Sequence, residues 1–324
     1  MKVNTVLGPI ESDQLGFTLM HEHIIIANHT LRRAYPAWFD HDVFMEYVLH
    51  LCRNAKEAGI DTITEATPID LGRDLELMQE VSEKSGLNII PCTGFYWNFQ
   101  VSLGDKSPEF IAQILIDDLT KGMDGTSYKA QFIKWATVGP ELSDYDRKIG
   151  TATAIAAKET GAMIYTHTNN KNGLSQVDFF EEQGVDLSHV VIGHMGDTED
   201  LDYIRSVLNR GVRIGSDRIS ACHLEPEFYM ADEKRARVIG QLAKEGYLGR
   251  IVLSHDVCGY LDYSGYQDRW NPFTENMSRD LNTFTHQWRY IPTTFYPMLR
   301  EAGIDEGGIR QLMVENPRAI FEGR

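Results

Sequence analysis

Cysteine is sparse and unpatterned. Cys52, Cys92, Cys222 and Cys258 are the whole complement in 324 residues, and no two stand in C-x-x-C spacing. That excludes a zinc ribbon, a thioredoxin-type redox motif and a disulfide scaffold, and it favours a reducing compartment. Long apolar runs are absent too. The N-terminal stretch MKVNTVLGPIESDQLGF has no hydrophobic segment behind Lys2, and the run from Ile24 to Ala27 is far too short to span a bilayer. Neither a secretion signal nor a membrane span is expected, so the protein reads as cytoplasmic. Basic residues are outnumbered: 31 Lys and Arg against 47 Asp and Glu give a formal net charge of −16. A surface of that sign repels phosphate backbones and anionic lipid, which excludes nucleic acid and membranes as partners and leaves a small molecule. Low-complexity segments and close repeats are lacking. No G-x-G-x-x-G follows a first strand, which removes a dinucleotide-binding Rossmann reading.

What is present is an alternation. Hydrophobic residues make up 42% of the chain, enough for a sizeable core. Short β-prone runs at 17–24, 61–67, 88–95, 131–137, 163–168, 190–195, 212–217 and 251–256 are separated by segments of helical period at 42–58, 73–84, 108–122, 144–160, 173–182, 199–209 and 232–245. Glycines at 59, 86, 161 and 246 close four of these helices as C-caps would. Strand, helix, strand with short connections implies a parallel sheet. Eight such units in roughly 250 residues fit a closed (β/α)8 TIM barrel, so one α/β domain over 1–324 is expected. Further helical pieces are expected at 293–302, 305–314 and 317–321. The segment 257–290 breaks the rhythm: it is long, aromatic and Gly-bearing (GYLDYSGYQDRWNPF), and it follows the eighth strand. Its length predicts a lid at the barrel mouth. There Tyr260, Tyr263, Tyr266, Trp270 and Phe273 would line an apolar cleft; the alternative is packing on outer helices or on another subunit.

Polar residues collect at the C-terminal ends of the strands, where barrel active sites lie. His21 and His23 flank Glu22 near the end of the first strand and share one face, a metal-ligand arrangement. Lys134 lies in the fourth strand, His167 closes the fifth, His194 the sixth and Asp256 the eighth. A lone histidine in such a strand is usually a satisfied core residue; six such groups on five strands at one end are hard to explain structurally. Lys134 is the odd member, because an ammonium has no lone pair with which to ligate. It belongs only if neutralised or modified, and a carboxylated lysine would supply two anionic oxygens. On its own it would read as a salt-bridge residue.

The order H-x-H, Lys, His, His, Asp, with the strings LMHEHI, DGTSYKAQFIKWAT, YTHTNN, HVVIGHMGDTEDLDYI, IVLSHD and ENPRAIFEG, resembles the phosphotriesterase branch of the amidohydrolase superfamily over nearly the whole chain. The resemblance implies a binuclear metal-dependent hydrolase. His21, His23 and Asp256 would hold one metal, His167 and His194 the other, with N6-carboxylysine at Lys134 and a hydroxide bridging them. Zinc is the expected metal; cobalt, manganese and iron also suit mixed N/O ligation. Asp256 is implied to accept the hydroxide proton, and Asp197 matches an acid that could relay it; capping the helix that starts near Thr198 is its alternative role. Tyr96 stands where lactonase-like members carry a tyrosine. Arg218 also matches the lactonase-like pattern, and the alternative for both is rim packing or a salt bridge. With Trp270 they form the expected substrate-binding set. After Tyr96 the chain reads WNFQVSLGDKSPEF, which departs from the acyl-homoserine lactonase pattern. The expected activity is hydrolysis of a lactone with promiscuous organophosphate triester hydrolysis. A phosphotriesterase and a catalytically silent barrel are the alternatives, and a homodimer is the assembly kept open.

Overall fold

A computed structural model of the chain describes residues 1–169, 171–223, 226–261 and 288–324. The chain opens with a hairpin outside the expected alternation, β1 (Lys2–Thr5) against β2 (Gly8–Glu11). Eight strands then form one sheet in sequence order: β3 (Thr18–Glu22), β4 (Thr62–Glu65), β5 (Asn88–Phe95), β6 (Phe132–Ala136), β7 (Met163–His167), β8 (Val190–Ile192), β9 (Arg213–Ser216) and β10 (Ile251–Leu253). Every neighbouring pair is parallel. Around them run α1 (His29–Ala34), which the sequence pattern did not suggest, and then α2 (His41–Glu57), α3 (Leu75–Ser85), α4 (Pro108–Thr120), α5 (Asp144–Thr160), α6 (Gly173–Glu182), α7 (Leu201–Leu208) and α8 (Asp232–Lys244). The C-terminal pieces are α9 (Tyr296–Glu301), α10 (Glu306–Arg310) and α11 (Asn316–Phe321). Among the described residues no helix is long and apolar enough to cross a membrane.

Local chemistry sets these boundaries. Asp74 and Ser107 accept the first free amides of α3 and α4, and Pro108 opens α4, where its missing N–H costs nothing. A reciprocal Ser143–Asp146 capping box starts α5, and Gly161 ends it in the left-handed region at φ 72°. The helix α2 buries Phe44, Tyr47, Val48, Leu51, Cys52 and Ala55, the stripe expected of 3.6 residues per turn.

The sheet closes on itself without a regular ladder between β3 and β10. His21 N–H instead reaches Ser254 Oγ at 2.8 Å. Beyond the strand ends, Asp256 N–H reaches the His21 carbonyl at 3.0 Å, His23 N–H the Val257 carbonyl at 3.0 Å and Gly259 N–H the His23 carbonyl at 2.7 Å. Met20, Ala66, Ile90, Cys92, Phe132, Met163, Tyr165, Val191 and Val252 form one cluster inside the barrel. Val3, Leu15, Ile320 and Phe321 belong to the same cluster. Neighbouring positions such as Ile133, Trp135 and Ile164 belong to the outer core beneath the helices. Trp135 is wholly buried against Phe179 and Phe180 of α6, at ring distances of 5.7 and 4.9 Å. Burial of a side chain that size contributes about 2–3 kcal/mol and holds β6 in place.

Candidate functional site

The same alternation that builds the core delivers the site. On β6, Lys134 follows Phe132 up the interior face; on β7, His167 follows Met163 and Tyr165. Register sets Lys134 opposite Gly94 of β5 and Tyr165 of β7. A Cβ at Gly94 would lie 1.9 Å from the Lys134 carbonyl oxygen, so only glycine fits beside this strand. β8, β9 and β10 end before the bounds the sequence pattern suggested, because the chain turns out of the ladder at the mouth. His194, Asp217 and Asp256 therefore sit just past β8, β9 and β10. His194 and Asp256 have φ of 59° and 58°, a left-handed conformation uncommon outside glycine, in which Asp and His are among the residues found most often.

The six expected groups come together. His21 Nε2 is 2.6 Å from Lys134 Nζ and 3.4 Å from Asp256 Oδ1. His23 Nε2 is 3.2 Å from the same Asp256 oxygen. His194 Nε2 is 2.8 Å from His167 Nδ1 and 3.8 Å from Asp256 Oδ2. The outer nitrogens of three rings are occupied. His21 Nδ1 meets Asp217 Oδ2 at 2.9 Å, His194 Nδ1 meets Asp217 Oδ1 at 3.0 Å and His23 Nδ1 meets Thr67 Oγ1 at 2.8 Å. Thr67 in turn donates to Glu65 Oε1 at 2.5 Å. Each of the three rings thus has its Nδ1 committed to a protein partner and its Nε2 directed into the cluster, the arrangement metal-binding histidines adopt.

Electrostatics suit cations as guests. Burial, then the Lys134 charge, pulls His21 down to about 3, and burial followed by the His194 charge holds His167 well below the usual range. Burial pushes the Asp256 carboxyl up, but His21, His194, the His23 hydrogen bond and Arg218 outweigh it and hold it well below the ordinary value. Neutral imidazole and ionised carboxylate are the forms that ligate. Burial lowers Lys134 to about 8, which leaves part of the amine neutral near physiological pH. His21, His23 and Asp256 bring ligand atoms within 4.8 Å of one another, so the donor set fits a divalent metal in number and chemistry.

Asp217 is absent from the sequence-derived set. It is fully buried and joins both halves of the cluster, accepting from His21, from the amide and ring of His194, and from Tyr165 OH at 2.7 Å. It closes the seventh expected strand, 212–217, as His167 closes the fifth, so the same signal applied to it. Trp97 was also passed over; its ring lies 3.8 Å from Tyr96 and 4.8 Å from His167.

The rim residues are placed as follows. Tyr96 OH is 3.1 Å from His167 Nδ1, and its backbone N–H donates to Asp70 at 2.7 Å. Burial, then the Asp256 charge, raises the Tyr96 phenol well above its ordinary value. Arg218 donates from Nε to Asp256 Oδ2 and from Nη1 to Asp197 Oδ2, each at 3.0 Å. Arg235 holds the other Asp197 oxygen at 3.1 Å and pairs with Asp232 at 3.5 Å. A guanidinium does not release its proton, so a hand-off from Asp256 to Asp197 requires a path around Arg218. The helix α7 is capped by Asp200, not by Asp197. Tyr260 does not line a cleft: it is buried between Phe39 and Phe44, at ring distances of 5.3 and 5.9 Å, because α2 offers it an apolar face. Trp270, with Tyr263, Tyr266 and Phe273, lies outside the described residues.

A parallel barrel with His, Lys and Asp side chains gathered at its C-terminal mouth defines a barrel hydrolase. The profile of the phosphotriesterase family matches residues 1–321, and the chain belongs to that family. An aryldialkylphosphatase of Saccharolobus solfataricus is 32% identical, with 96% of each chain covered. The solved phosphotriesterase of Mycobacterium tuberculosis superimposes with a TM-score of 0.87 at 31% identity, over 99% of this chain and 98% of that one. An N-acetyltaurine hydrolase of Xenopus tropicalis is 26% identical, over 98% of this chain and 97% of its own.

Proposed function

We propose that the protein opens a lactone as its main reaction and hydrolyses organophosphate triesters more slowly. His21, His23 and Asp256 would hold one divalent cation, His167 and His194 a second, and Lys134, as its carbon dioxide adduct, both. When bound, such a pair makes hydroxide available near neutral pH and polarises the oxygen under attack. Asp256 accepts the proton released on attack, and Arg218 keeps its carboxylate aimed into the cluster.

The observation that carries the lactone reading is the position of the Tyr96 phenol, 3.1 Å from His167 Nδ1. An aliphatic alkoxide is a poor leaving group and needs a proton donor beside it; an aryl oxide does not. A protonated phenol at the cluster serves the first and is wasted on the second. The same donor would serve an amide, so N-acyl amines belong on the substrate panel. The metal-replete enzyme is expected to show higher kcat/KM for an aliphatic lactone than for an aryl dialkyl phosphate. Tyr96→Phe should lower lactone turnover about tenfold, the worth of one hydrogen bond, and leave aryl phosphate turnover nearly unchanged. A faster aryl phosphate reaction in the parent would assign the protein to the phosphotriesterase reading, and equal losses on both substrates would remove Tyr96 from leaving-group protonation.

A further inference from the structure

We propose that Glu22 is a positioning residue for Asp256 and works by clamping the chain on both sides of it. The inference rests on the reading of Asp256 as ligand and proton acceptor, and goes beyond it because it holds whichever bond is cleaved. Asp256 keeps a left-handed backbone, φ 58°. Three successive amides explain why. His255 N–H donates to Glu22 Oε1 at 2.8 Å, Asp256 N–H to the His21 carbonyl at 3.0 Å and Val257 N–H to Glu22 Oε2 at 3.0 Å. The amides on either side of the left-handed residue converge on one anion, and the Glu22 carboxylate is that anion.

The clamp extends further. Glu22 Oε1 also accepts from Ser254 Oγ and from His255 Nδ1, each at 2.7 Å. The proton is on Nδ1, because the Ile291 amide donates to Nε2 of the same ring at 3.2 Å. Ser254 Oγ accepts the His21 amide. Glu22 is fully buried, and through these bonds it ties the strand of His21 and His23 to the turn of Asp256 and, through His255, to Ile291 before α9. Glu22 stands between His21 and His23 in β3 and touches the reacting groups only indirectly: it holds the chain on both sides of Asp256, and through Ser254 Oγ the amide of His21.

Glu22→Gln keeps the size and removes the charge. Its amide nitrogen presents a donor where every partner is a donor, so at least one clamping bond is released. In the metal-loaded variant kcat is expected to fall roughly 10–100-fold, the scale of groups that orient metal ligands, with KM little changed. Zinc should pass to a chelator more readily, at temperatures where circular dichroism shows the variant folded. His255→Asn retains a donor near the Nδ1 position and His255→Gln does not, so the Asn variant should lose less activity. This pair tests the clamp even if Glu22→Gln does not fold. Asp256→Asn is measured alongside. If it keeps parental kcat, Asp256 has no such role and the positioning proposal falls with it. If Asp256→Asn is crippled while folded Glu22→Gln keeps parental kcat and zinc affinity, or if His255→Asn loses as much as His255→Gln, Glu22 only packs the seam and the clamp alone is overturned.

Discussion

Asp256→Asn is expected to lower kcat by roughly 10²–10⁴-fold, the usual scale for a general acid–base group, while part of the metal stays bound. Asparagine has the shape of aspartate and is one of the few residues that tolerates a left-handed backbone, so the turn at φ 58° should survive. His21 and His23 remain to hold a cation. What disappears is the proton acceptor and the negative charge that four neighbours stabilise: His21, His194, His23 and Arg218. Arg218 loses one carboxylate but keeps Asp197, so the rim should not collapse. Turnover measured beside metal content and thermal stability checks this. A parental kcat in a folded, metal-bound variant would take Asp256 out of proton transfer.

Lys134→Ala should cost more than about 100-fold in turnover, beyond what groups outside the ligand set contribute. The side chain is fully buried and 2.6 Å from a ring nitrogen of His21. As an ammonium it would repel any cation bound there. Burial brings it down to about 8, and only the neutral amine can add carbon dioxide. The adduct is an anion with two oxygens, suited to lie between two cations. Short carboxylic acids should therefore restore part of the lost activity to Lys134→Ala. Carbon-13 bicarbonate should give a carbamate resonance in the parent that appears only with metal. Parental activity in the alanine variant, or metal loading with no such resonance, would leave Lys134 as a plain buried amine.

The barrel and its six converging groups were legible because both depend on short-range rules. Alternation places Lys134 above Phe132 and His167 above Tyr165 from spacing alone, and strand order follows from the helices between. The turns were not legible. No periodicity announces that His194 and Asp256 leave their strands in a left-handed conformation, since hydrogen bonds from distant residues impose it. Asp217 was passed over for a different reason: its place at the end of the seventh strand was visible, but no motif ties it to the Nδ1 atoms of His21 and His194 that it holds. The hairpin at residues 2–11 went unseen because its strands are four residues each and half exposed, with no apolar stripe to mark them. Tyr260 was misplaced because aromatic content alone does not tell a cleft from a packed helix face.

The alternation of charge from Asp256 through Arg218, Asp197 and Arg235 to Asp232 bears on how this rim can evolve. Arg235 and Asp232 are each 1% exposed as side chains. Deleting one buried partner strands the other, at up to about 3–5 kcal/mol, whereas removing an adjoining acid and base together releases both. Substitutions along the series are therefore not independent, and a variant harmful alone becomes acceptable only after its neighbour has changed. Phe228, between β9 and α8 but 70% exposed, is under no such constraint. Diversification of this edge should begin at positions of that kind, with the charged series altered late and in pairs.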